Sequence, residues 1–124
     1  MKGAILIADD NVSIRRVLRS ALEKEDYICG EAENGFVAID KIKDLHPDLI
    51  ILDFSMPGLN GLEVLRALKQ ERPAIPVILF TMFKDKYLEA EAFAAGASVV
   101  ISKAAGLDSV IKQACVLLKY SHLS

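Results

Sequence analysis

Five short segments divide the chain, four of them apolar runs and the second a mixed stretch that reads as a short strand: Ala4-Ile5-Leu6-Ile7-Ala8, Tyr27-Ile28-Cys29-Gly30-Glu31-Ala32, Leu49-Ile50-Ile51-Leu52, Pro76-Val77-Ile78-Leu79-Phe80 and Ser98-Val99-Val100-Ile101-Ser102. Continuous Val/Ile/Leu runs of this length fit central strands of a parallel sheet, covered on both faces. Between the first two, Ile14, Val17, Leu18, Ala21 and Leu22 fall at helical spacing and predict a helix over 13–24. Asn11 or Ser13 can cap it, and Arg15, Arg16 and Arg19 read as its solvated face. Asn34-Gly35 reads as a turn before a helix over 36–45, which His46-Pro47 ends. After a loop through Met56, Pro57, Gly58 and Gly61, Leu62, Leu65 and Leu68 mark a third helix, and Pro73 and Pro76 bracket the next connection. A fourth helix over 86–95 stops at Gly96, and Leu107, Val110, Ala114 and Leu118 stripe a last one. Alternation of strand and helix predicts an α/β fold with right-handed crossovers and helices on both faces of a parallel sheet. No repeat, low-complexity tract or Pro/Ser-rich linker interrupts it, so 1–124 reads as one domain.

Polar residues at the ends of these runs carry the chemistry. Asp9 and Asp10 follow the first run, Asp53 the third, Thr81 the fourth and Lys103 the fifth. If the strands are parallel and adjacent, their carboxyl ends bring these side chains to one edge. Carboxylates that close repel, so some take up protons unless a cation joins them. A hard divalent ion with oxygen ligands is the natural partner, and Mg2+ suits a few carboxylates plus phosphate. A metal, an ammonium and a hydroxyl around one carboxylate are what a phosphoryl group needs when it is transferred to or from that carboxylate.

Asp9-Asp10, Leu52-Asp53-Phe54-Ser55-Met56-Pro57 with Gly61, Thr81 and Lys103 resemble, in order and spacing, the receiver domain of bacterial two-component response regulators, from residue 5 to about 120. The resemblance implies a CheY-like, flavodoxin-like (βα)5 three-layer sandwich, with the sheet order 2-1-3-4-5 taken by analogy. It implies a phosphoacceptor in a two-component phosphorelay. Asp53 is then the nucleophile, phosphorylated from a sensor histidine kinase or phosphotransfer protein, and Asp9, Asp10, Asp53 and the backbone carbonyl of Ser55 hold Mg2+. Lys103 pairs with the carboxylate at rest and with a phosphoryl oxygen afterwards. Thr81 moves to the phosphoryl oxygen and biases the loop after the fourth strand. The expected output is a changed contact with a downstream protein or a covalently attached effector domain, with homodimerisation on phosphorylation left open. Such a domain assists its own phosphorylation and dephosphorylation and turns over no separate metabolite, so it is not expected to be an enzyme in the ordinary sense.

Several positions depart from the family pattern. Val100 stands where many receivers carry an aromatic residue whose inward rotation accompanies the Thr movement, and a small branched side chain cannot make that swing. Ala104 replaces a proline that often follows the lysine. Met82 is larger than the Ala or Gly common after the Thr; with Phe83 and Ser55 it is expected to tune phosphoryl lifetime. Thr81-Met82 and the non-proline after Lys103 are similar to receivers attached to LuxR-type DNA-binding domains.

Composition narrows the partners. A net charge of -2 with scattered Lys and Arg lacks the basic stripe of a nucleic-acid surface. No apolar stretch approaches the roughly 20 residues that span a bilayer, and Met1-Lys2-Gly3 leads straight into a strand, so a cytoplasmic protein is expected. Cys29 and Cys115 lack a Cys-x-x-Cys pattern and read as buried structural thiols, and neither His46 nor His122 sits in a catalytic motif. Two rival functions stand beside the receiver: a phosphorylation-independent interaction module, suggested by Val100 and Ala104, and a Mg2+-dependent phosphohydrolase with an aspartyl-phosphate intermediate. The hydrolase of the haloacid-dehalogenase type places a second Asp two residues after the nucleophile, where this chain has Ser55.

Overall fold

Asn11, Asn34, Asn60 and Asp85 each turn a side-chain oxygen onto backbone N–H groups of a following first turn, and a helix starts directly after each of them. The computed structural model describes residues 3–82 and 85–121, with side chains through Lys119. Its elements run β1 (Ala4–Ala8), α1 (Val12–Lys24), β2 (Ile28–Ala32), α2 (Gly35–Leu45), β3 (Leu49–Asp53), α3 (Gly61–Glu71), β4 (Val77–Thr81), α4 (Lys86–Ala94), β5 (Val99–Ser102) and α5 (Leu107–Ser121). A 3-10 turn, Lys103–Ala105, joins β5 to α5.

The five strands form one parallel sheet in the order β2-β1-β3-β4-β5. Successive side chains leave a strand on opposite faces, so each strand feeds two cores. Ile5, Ile7, Ile51, Ile78 and Phe80 pack with Leu18 and Leu22 of α1 and Val110, Ala114 and Leu118 of α5. Leu6, Ile50, Leu52, Leu79 and Val100 pack with Ile42 of α2, Leu65 and Leu68 of α3 and Ala92 of α4. These are the three layers of the expected sandwich. β3 and β4 are buried along their whole length, as central parallel strands must be.

Local departures from the sequence reading have physical causes. Asn34-Gly35 is not a free turn: Asn34 caps α2 and Gly35 is its first residue, where an added Cβ would lie 2.5 Å from Cγ2 of Val64. Asn11, not Ser13, caps α1. Arg15 departs from the solvated face, since its side chain is only 13% exposed and reaches Glu31 on β2, whereas Arg19 also reaches Glu31 but stays 42% exposed and Arg16 is exposed. Cys29 is buried, and burial pushes its thiol up to about 11. Cys115 is only half-buried. His46 ends α2 in the left-handed conformation and lies against Arg72, while His122 lies outside the described residues. Gly96, with φ of 111°, follows α4 as expected of a carboxyl-terminal cap. Among the described residues no helix is long and apolar enough to cross a membrane.

Candidate functional site

Parallel strands in this order set the ends of β1, β3, β4 and β5 side by side, and ligands of open α/β sheets bind beyond such carboxyl ends. Asp9 leaves the end of β1, Asp53 is the last residue of β3, Thr81 the last of β4, and Lys103 opens the turn after β5. The register pairs Ala8 with Leu52, Asp53 with Phe80 and Thr81 with Ser102, so the four ends are level. Carboxylate oxygens of Asp9, Asp10 and Asp53 lie within 4.8 Å of one another. Asp9 and Asp53 are each only 2% exposed, whereas Asp10 faces solvent.

Lys103 crosses the end of β4 to reach this group. Its Nζ lies 3.0 Å from Oδ2 of Asp9 and 3.4 Å from Oδ1 of Asp53, and 5.6 Å from the centre of the Phe80 ring. The 3-10 turn makes that reach, with Ser102 Oγ accepting from the Ala104 amide at 3.1 Å. Burial and then the Asp9 charge raise the Asp53 carboxyl to about 6, against the pull of the Ser55 N–H and of Lys103. One ammonium therefore does not neutralise the pair. Three hard oxygen donors with unbalanced charge suit a divalent cation of the Mg2+ or Ca2+ type rather than a soft metal.

The model of the response regulator receiver domain family matches residues 5–114. This chain belongs to that family. The transcriptional regulatory protein ResD of Bacillus subtilis is 40% identical over 115 residues, 93% of this chain and 48% of ResD. The transcriptional regulatory protein LnrK of the same organism is 36% identical over 110 residues, 87% of this chain and 50% of LnrK. The chain thus spans about half the length, or less, of the first curated relatives it matches. Among solved structures, a LuxR-family response regulator from Aurantimonas sp. SI85-9A1 has a TM-score of 0.86 at 26% identity, covering 94% of this chain and 85% of that one. A CheY-like receiver domain protein from Methanospirillum hungatei JF-1 has a TM-score of 0.90 over 96% of this chain and 95% of that one; at 24% identity this likeness shows the fold alone.

The receiver's remaining expected residues fall in two groups. Thr81 is fully buried. Its pleat position, one residue after Phe80, points it to the α2–α3–α4 face, with Leu79 and Val100. Val100 is a core residue, 5% exposed. Met82 is 63% exposed at the bend after β4, and Phe83 lies outside the described residues. Ser55 is exposed, and its N–H donates to Asp53 Oδ1 at 3.2 Å.

Other residues support the acidic edge, and of these only Gly61 stood in the sequence motif. The Asn11 N–H donates to Asp9 Oδ1 at 2.9 Å, and Arg15 Nη1 donates to the Asp9 carbonyl at 2.7 Å. Phe80 lies under the Lys103 ammonium. Gly61 lets the β3–α3 loop fold back, since a Cβ there would sit 2.6 Å from the Phe54 carbonyl oxygen. For Gly61 the motif was the signal; for Arg15 and Phe80 the partners are distant in sequence and no local pattern announces them.

Proposed function

We propose that Asp53 accepts a phosphoryl group from the phosphohistidine of a sensor histidine kinase or phosphotransfer protein. An Asp53 oxygen attacks phosphorus in line, the P–N bond breaks, and the imidazole nitrogen keeps the electron pair and takes a proton. Lys103, already beside Asp53, stabilises charge on a phosphoryl oxygen. Asp9, Asp10, Asp53 and the backbone carbonyl of Ser55 are the residues that would hold Mg2+, whose chemistry when bound is to neutralise phosphoryl charge and fix the line of attack. The observation that carries this reading is the bridge from Lys103 to both Asp9 and Asp53 within an acidic trio.

Thr81 is the residue whose hydroxyl moves toward the phosphoryl group, and Met82, with Phe83 and Ser55, tunes phosphoryl lifetime. With Val100 in the core, the change passes through the β4–α4 loop and α4 rather than through an aromatic swing. The chain is organised as one receiver domain acting in the cytoplasm. It alters contacts with a downstream protein or an attached effector, the latter in keeping with relatives that are transcriptional regulators of about twice the length. The domain itself makes no direct nucleic-acid contact and turns over no separate metabolite. Buried Val100 favours a second reading, a phosphorylation-independent interaction module.

Intact mass after incubation with acetyl phosphate, with and without Mg2+, separates the two. The phosphoacceptor reading expects one Mg2+-dependent phosphate that is absent in Asp53→Asn. No phosphate from acetyl phosphate or from phosphohistidine donors would favour the second reading.

A further inference from the structure

Arg15 lies outside the acidic trio, yet its guanidinium joins that trio to the body of the fold. Nη1 donates to the backbone carbonyl of Asp9 at 2.7 Å, and Nε donates to Oε1 of Glu31 at 3.0 Å. Glu31 is held in turn: its Oε2 accepts from Arg19 Nη1 at 2.9 Å, and its backbone carbonyl accepts from Lys41 Nζ of α2. On the other side of Asp9, its N–H donates to the Ala32 carbonyl at 3.0 Å and its Oδ1 accepts from Asn11 N–H at 2.9 Å. The Arg15 side chain is 13% exposed, so its own bonds to Asp9 and Glu31 are partly shielded from water.

The geometry points to Arg15, backed by Glu31, as a positioning residue for the metal site. The peptide it grips is the one joining Asp9 to Asp10. Fixing that carbonyl fixes the plane of the peptide, and with it the direction in which exposed Asp10 leaves the chain relative to buried Asp9. The guanidinium fork is needed because one planar group must hold a carbonyl and a carboxylate at once, which an ammonium does poorly. Outer partners that orient metal ligands are a general means of setting metal affinity.

The inference rests on the acidic trio being a Mg2+ site, and it has a sign that charge alone would reverse. Arg15 is a cation next to that site, so if it acted only by Coulomb repulsion its removal would tighten Mg2+ binding. A positioning role predicts the opposite. Isothermal titration of the full chain with Mg2+, at fixed pH and ionic strength, should show affinity on the order of tenfold weaker in Arg15→Met and nearly as weak in Arg15→Lys. Acetyl phosphate labelling should need more Mg2+ in both, while the rate at saturating Mg2+ stays near that of the wild type. Ile42→Val trims the core on the opposite face of the sheet and serves as the stability control, with unchanged affinity expected. Unchanged or tighter Mg2+ binding in a folded Arg15→Met overturns the role, as does equal weakening in Ile42→Val. Absence of Mg2+ binding by the wild type would instead overturn the metal site itself.

Discussion

Around the ends of β1 and β3, the groups are tied down: Asp9 is bonded through its N–H, its carbonyl and both carboxylate oxygens, and Asp53 through Ser55 and Lys103. In α4 the packing is thinner. Among its described residues α4 fully buries Ala92 alone, and it leaves Tyr87 80% and Phe93 49% exposed, whereas α1 anchors Leu18 and Leu22 in the core. The two regions suit two tasks. Groups that stabilise a transferring phosphoryl gain from being fixed in advance, while a segment that must change state is drawn from the less stable end of the structure.

Stability measurements probe that contrast first. Leu18→Ala removes a fully buried side chain of α1, the helix that packs on β1 and β2, and should cost about 2–5 kcal/mol in urea denaturation. Gly61→Ala forces a methyl group against the Phe54 backbone and should cost about 1–3 kcal/mol by the same assay. Smaller, and confined to acid, is the effect of Glu31. Burial would raise its carboxyl, but hydrogen bonds from Arg19 and Arg15 outweigh it and hold the group below its ordinary value. Its contribution is therefore full above the unfolded value and is lost as pH falls through the lower folded one. Urea midpoints taken between pH 6 and pH 3 should fall less steeply in Glu31→Gln than in the wild type. Tyr87→Ala should be nearly silent, within about 0.5 kcal/mol; a loss as large as that of Leu18→Ala would mean that α4 is anchored as firmly as α1.

The sheet and the acidic edge were legible because strands buried on both faces must be continuously apolar, and a break from apolar to Asp or Lys at their ends marks the sheet's rim. The start of α1 was legible through Asn11, a cap that acts over three residues, whereas Asn34, Asn60 and Asp85 cap their helices in the same way without having been read as caps. What escaped the sequence reading acts over longer distances. Arg15 looked like one of three solvent-facing arginines, and only folding of β2 beside β1 brings Glu31 to it. Gly35 looked like a turn residue because its constraint, contact with Val64 of α3, is tertiary. The Lys103–Ala105 turn is too short to show a period.

Amide hydrogen exchange of the full chain, with Mg2+ alone and with Mg2+ plus sustained acetyl phosphate, tests the division of labour most directly. The altered protection should concentrate in residues 81–95, with little change across β1, β3 and the first turns of α1. Equal change in both regions, or change confined to α1, would contradict it, provided that intact mass shows the phosphate on the protein.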